Sequence, residues 1–214
     1  MRMLRILVVG WMALSGALAL AQAPAIGPLP TAIAGRLSEL ATEEAPNVRE
    51  DSIAAFAMIE TFYARRGFEP AWSDPARAQV LINAVRDSAD DGLSPGDYHF
   101  SSLVRMANEV AQPGATDFQR AEFDILMTDA AIRLGYHLWF GKVDPTTFDP
   151  GWNMARRVPG FDPIVEIEKA LSSPDLAARI LEHRPDQPLY AALKRELARF
   201  NTIALRGGWE PIPA

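Results

Sequence analysis

DFQRAEFDILMTDAAIRLGYHLWF, residues 117–140, is the longest periodic stretch in the chain, and it contains no proline. Phe118, Ile125, Ile132 and Trp139 recur every seven residues, and the small residues Ala121, Thr128 and Gly135 form a neighbouring stripe. That period predicts one continuous helix, roughly 36 Å long at about 1.5 Å per residue. Its apolar stripe faces a core, and its small stripe lets another helix approach closely. Asp117, Glu122, Asp124 and Asp129 fall in its first half, where the positive end of the helix dipole favours acids.

Shorter helices are expected on both sides. Ile53 to Arg66 reads as a helix capped by Asp51 or Ser52, stopped by Gly67, with Phe56, Ile59 and Tyr63 on its buried face. After Ser73-Asp74-Pro75, helical spacing of Val80, Leu81, Ala84 and Val85 runs to Ala89, and Asp90-Asp91-Gly92 ends it. Ser101 to Val110 follows, closed by Gln112-Pro113-Gly114. Beyond the central helix, Pro163 to Leu171, Asp175 to Leu181 and Leu189 to Leu205 are helical, the last closed by Gly207-Gly208. No strand of convincing length is apparent in the pattern, so the fold class is all-α, a multi-helix bundle-like domain.

The front of the chain reads differently. Arg2 and Arg5 precede an apolar run from Ile6 to Leu20 that ends in small residues, the pattern of an export signal cut after Ala21 or Ala23. At 15 residues the run is shorter than the roughly 20 needed to span a bilayer, so no stable membrane span is expected. Residues 1–23 are therefore assigned to a signal peptide and residues 24–50, rich in Ala and Pro, to a leader holding at most a short helix near Ala32 to Leu40. The helical domain proper is expected over residues 51–214, in the periplasm.

Composition narrows the chemistry. The chain has no cysteine, so lipid anchoring at a cleavage-site cysteine, disulfides and thiolate catalysis are all excluded for these 214 residues. Lys and Arg number 21 against 27 Asp and Glu; without Arg2 and Arg5 the balance is 19 to 27, a net of −8. With few adjacent basic pairs, Arg65-Arg66 and Arg156-Arg157 among them, nucleic acid is not an expected partner.

Gly92-Leu93-Ser94-Pro95-Gly96 matches the spelling of a hydrolase nucleophile elbow, but Pro95 has no N–H to hold an oxyanion and a helix precedes it, so a turn is the reading. His99, His137 and His183 lie at no metal-ligand spacing, so no metal or cofactor is expected. His137 belongs to the packed or half-exposed side of the long helix, and His99 is the better surface candidate. Among the aromatic residues Trp72, Tyr98, Tyr136, Trp139, Phe140, Trp152 and Trp209, core packing competes with a groove for glycan or peptide. Trp72, Tyr98 and Trp152, with His99 beside Tyr98, sit in loop-like segments and are the groove or docking candidates. Glu60 and Glu122 are the candidate acids for a lytic glycosidase, although no Glu is followed by Ser and exposed helix surface is the simpler reading of each.

An ordered set of short words adds a resemblance. Tyr63-Ala64-Arg65-Arg66-Gly67-Phe68-Glu69-Pro70-Ala71-Trp72 comes first, then Asp91-Gly92-Leu93-Ser94-Pro95-Gly96-Asp97-Tyr98-His99. Asp124 to Thr128-Asp129 leads next to Gly141-Lys142-Val143-Asp144-Pro145. Leu189-Tyr190, Leu193 and Leu197 precede Gly207-Gly208-Trp209-Glu210-Pro211-Ile212-Pro213. From about Asp51 to Pro213 this resembles the scaffold region of the large periplasmic L,D-transpeptidases. In that family a peptidoglycan-binding module and a catalytic domain with a Ser-His-Gly-Cys motif follow; the motif is absent here, so no catalytic residue carries over. The resemblance implies a non-catalytic scaffold in cell-wall remodelling, with peptidoglycan or an L,D-transpeptidase catalytic domain as partner. It also implies apolar surface left exposed where that domain docks. A stand-alone cell-wall hydrolase is the competing expectation.

Overall fold

The computed structural model describes residues 27–149, 151 and 162–209. The signal peptide read in residues 1–23 and Trp152 lie outside the described residues. The described chain is all-α, with helices α1 (Pro28–Leu40), α2 (Phe56–Arg65), α3 (Pro75–Asp87), α4 (Phe100–Val110), α5 (Asp117–Phe140), α6 (Pro163–Ser172), α7 (Leu176–Leu181) and α8 (Pro188–Leu205). The strands are β1 (Asn47–Val48) and β2 (Asp51–Ser52), an antiparallel pair in which Asn47 faces Ser52.

Helix α5 spans the bounds its period predicts. Thr116 accepts from the Gln119 backbone at 3.2 Å, and the Gln119 side chain accepts from the Thr116 backbone at 2.9 Å, a reciprocal cap that satisfies two otherwise orphaned N–H groups. Gly141, at φ 77°, ends the helix. From Ala121 to Ile132 every residue is buried, because α1, α2, α3, α4 and α6 all pack around this segment. Phe118 departs from the expected stripe: it lies in the first turn, 49% exposed, with the Arg36 guanidinium 5.8 Å from its ring centre.

The short helix expected near Ala32 to Leu40 is present as α1 and starts earlier, at Pro28. Pro28 and Pro30 sit in the first turn of α1, where a missing N–H costs nothing and the fixed φ suits the helix. Ile33, Leu37 and Leu40, one face of α1, are buried against α5. The hairpin follows, and Asp51 and Ser52, expected to cap the next helix, lie in β2 instead. Helix α2 therefore begins later, at Phe56. Its N-terminal Ala55 N–H is bonded at 2.8 Å by Asp129 Oδ1, a partner 74 residues away.

Helices α3, α4, α6, α7 and α8 fall within a few residues of their expected bounds. Asp74, Asp162 and Asp175 cap α3, α6 and α7 through their side chains. Gly92 adopts φ 75° after a 3₁₀ turn over Ser88–Asp91, which is the left-handed stop that Asp90-Asp91-Gly92 predicts. No described helix is long and apolar enough to cross a membrane.

Candidate functional site

Trp72 is buried, 3% exposed, and held by two hydrogen bonds. Its backbone N–H donates to Asp124 Oδ2 at 2.9 Å, and its indole N–H donates to Thr128 Oγ1 at 3.0 Å. Asp124 Oδ1 accepts from Tyr63 Oη at 2.6 Å and from the Ala71 N–H at 2.8 Å. Burial pushes the Asp124 carboxyl above its ordinary range, while the hydrogen bonds from Tyr63, Ala71 and Trp72 oppose that shift. Burial, with Asp124 beside it, also raises the Tyr63 phenol well above its usual value, so Tyr63 stays the donor. A carboxylate removed from water is costly unless its lone pairs are filled, and here three donors fill them.

The network fixes Trp72 as a wall of a solvent-open cavity of about 240 Å³ between α1, α3, the end of α4 and the first half of α5. Leu29, Ala78, Ile82, Ala107, Val110, Ala111 and Phe123 belong to its apolar lining, and Ser73, Gln79, Asn108 and Arg120 stand at its edge. Trp72 also borders a smaller cavity of about 40 Å³ under α6 and α7, lined in part by Ile132, Ile167 and Ile180. Trp72, a groove candidate by sequence, thus lines two cavities.

Tyr98 and His99 require the opposite correction. Tyr98 is fully buried, its hydroxyl 2.9 Å from His137 Nδ1. His99 is 7% exposed and adopts φ 61° at the start of α4. Its Nδ1 lies 3.0 Å from Asp51 Oδ1 and its Nε2 lies 2.8 Å from Asp129 Oδ2. Both ring nitrogens meet carboxylate oxygens, and the Arg133 guanidinium lies 3.4 Å from Nε2. Arg133 reaches the same Asp129 oxygen at 3.2 Å. These side chains are spent on joining β2, α4 and α5, because partners distant in sequence turn a surface-looking Tyr-His pair inward.

Glu122 is likewise not exposed surface. Its side chain is 6% exposed and pairs with Arg49 Nε at 3.0 Å and Arg36 Nε at 3.6 Å. Arg49 also holds Glu109 at 2.8 Å, and that hydrogen bond keeps the Glu109 carboxyl below its ordinary range. Glu60 is exposed on α2. Neither acid lines either cavity. Among the described residues no three His, Asp or Glu side chains converge on a metal position.

The words read from the sequence meet in space. Lys142 Nζ pairs with Asp97 Oδ2 at 2.6 Å, joining the Gly141-Lys142-Val143 turn to the Pro95-Gly96-Asp97 turn. Asp91, with its side chain 1% exposed, accepts from Tyr190 Oη at 2.8 Å and Lys194 Nζ at 2.6 Å, and pairs with Arg184. This cluster ties α8 to the body beside Gly92, where an added Cβ would sit 3.8 Å from Leu197. The other side of α8 faces solvent: Leu189, Leu193 and Phe200 are 71%, 60% and 48% exposed, and no residue of α8 is buried. Sequence reasoning missed Asp91, Asp124 and Asp129 as organising residues. The available signal was two aspartates, Asp124 and Asp129, set inside an otherwise apolar run.

No curated protein and no solved structure matches the chain. A family model described as Scaffold domain matches residues 57–197. That span runs from the first turn of α2 into α8 and takes in the Trp72 wall, the His99 network and the Asp91 anchor. Covering well over half of the sequence, it shows that the chain belongs to the Scaffold domain family.

Proposed function

We propose that this scaffold domain serves cell-wall remodelling of the L,D-transpeptidase kind, as an exported, periplasmic, non-catalytic part that docks a catalytic domain. The observation that carries the reading is α8, anchored on one side by a buried aspartate and presenting Leu189, Leu193 and Phe200 to solvent on the other. Exposed apolar residues grouped on one rigid helix face are the usual mark of an interaction surface. The scaffold family match supports the scaffold role, and the ordered words between Tyr63 and Trp209 support the choice of partner.

The test mixes the purified protein with a separately produced L,D-transpeptidase catalytic domain and measures association by isothermal titration calorimetry. Saturable binding that Leu193→Glu abolishes is the expected result, and absence of binding by the unaltered protein sinks the docking reading. Co-sedimentation with purified sacculi, with and without the catalytic domain, separates direct peptidoglycan contact from contact through the partner.

A further inference from the structure

The cavity of about 240 Å³ beside Trp72 has a chemistry of its own, independent of the α8 surface. Its walls come from four helices and the Trp72 loop, and they are apolar: Leu29, Trp72, Ala78, Ile82, Val110 and Phe123. An apolar cavity of about 150 Å³ holds benzene, so this one has room for a ring with a short tail or an aliphatic chain of about eight carbons. It is smaller than the clefts of about 300 Å³ and above that bury drug-sized ligands.

The edge defines the polar end of an occupant. Arg120, in the second turn of α5, lines the cavity and is exposed, and its guanidinium makes no hydrogen bond or ion pair among the described residues. Most other arginines here are committed, Arg49 to Glu122 and Arg77 to the carbonyls of Leu171 and Ser173 among them. The one carboxylate in the lining, Asp124, already accepts from Tyr63, Ala71 and Trp72 and so does not neutralise Arg120. Ser73, Gln79 and Asn108 add uncharged polar groups at the same edge. An unpaired guanidinium above an apolar hollow complements a carboxylate joined to a hydrocarbon body, because its forked donors match two carboxylate oxygens.

We infer that this cavity binds an amphiphilic carboxylate, with the hydrocarbon part against Trp72 and Phe123 and the carboxylate on Arg120. Two sources share that chemistry, a free medium-chain acid and the C-terminal residue of a peptide with an apolar side chain. Octanoate probes the first and N-acetylphenylalanine the second; 1-octanol and N-acetylphenylalanine amide, which lack the charge, are the controls.

The experiment titrates each probe into the full chain and follows tryptophan fluorescence and nuclear magnetic resonance shifts. At least one carboxylate binds with a Kd on the order of 1 mM, as its atom count allows, and its uncharged control binds about tenfold more weakly. Arg120→Gln, at an exposed position, removes that tenfold preference and leaves binding of the uncharged control unchanged. Ala107→Phe fills the cavity from α4 and abolishes binding of both, with the unaltered thermal midpoint as proof of folding. If that midpoint drops, Ala111→Phe, at the exposed residue that follows α4 and also lines the cavity, takes its place. No binding by either carboxylate, equal binding of acid and control, or binding that survives the filled cavity overturns the inference. Preference for octanoate or for N-acetylphenylalanine identifies the source.

Discussion

Helices α5 and α8 are the two longest of the described chain, 24 and 18 residues, yet α5 buries Glu122, Asp124 and Asp129 while α8 buries nothing. In α5 these three carboxylates are inside, and each has a long-range partner. In α8 Lys194 points to Asp91, and Leu189 and Leu193 point to water. Burial of a charge with its partners in place gives limited net stability but makes loss of one partner costly. An exposed apolar residue, by contrast, contributes little to its own fold. The two helices should therefore answer substitution in opposite ways.

The largest effect is expected at Asp129. Asp129→Ala strands the Ala55 N–H, a nitrogen of His99 and the Arg133 guanidinium, and should cost about 3–5 kcal/mol in urea or guanidinium unfolding. A loss below about 1 kcal/mol, the size of an ordinary surface hydrogen bond, would remove the buried network from the account of stability.

Arg49 comes next, with a built-in control. It occupies φ 55° between β1 and β2, a conformation that disfavours side chains, yet it holds Glu122 and Glu109. Arg49→Ala loses the clamp and keeps the strain, for about 2 kcal/mol. Arg49→Gly loses the same clamp and relieves the strain, so it should be the milder of the two by about 1 kcal/mol. Equal losses would mean that the left-handed turn carries no strain worth relieving.

These contrasts explain what could be read from sequence. Helix bounds were legible wherever a local signal existed: Thr116 with Gln119 for α5, the capping aspartates Asp74, Asp162 and Asp175, and Gly92 and Gly141 at stops. The start of helix α1 was less legible, because its prolines look disruptive until they are placed in its first turn. The site was less legible. Tyr98 and His99 look exposed in a turn, and only the folded chain brings His137 and Asp129 to them. Trp72 stands out in the sequence as a loop aromatic, but its place as a cavity wall depends on Asp124 and Thr128, 52 and 56 residues away. The period of α8 marks a helix but not which face is covered, since its anchor Asp91 lies 99 residues from Tyr190.

A smaller, local effect is expected at that anchor. Asp91→Ala should leave α5 amides as protected from hydrogen exchange as before while α8 protection falls, because the cluster is the main tie between α8 and the body. Alkali should do the same to the unaltered protein. Burial and the hydrogen bond to Asp91 push the Tyr190 phenol from 10.0 up to about 12. A group raised on folding stabilises the fold fully below its unfolded value and ceases to do so as pH rises through the folded one. Release of α8 is thus expected between pH 10 and about 12, together with a delayed tyrosinate absorbance that Tyr190→Phe removes. Undiminished α8 protection in Asp91→Ala would place the tie elsewhere.

The smallest effect on stability is expected where the effect on association is largest. Leu193 is 60% exposed on α8, so Leu193→Glu forfeits little buried area and should shift unfolding by less than about 0.5 kcal/mol. The same charge placed in an apolar contact must be desolvated without a partner, which is enough to abolish docking through this face. A double comparison makes the point sharp: Leu193→Glu with stability kept and binding lost, against Asp129→Ala with stability lost first. Should Leu193→Glu destabilise the fold by several times that margin, α8 would be packed against the protein's own surface in solution, and the contrast between the two helices would disappear.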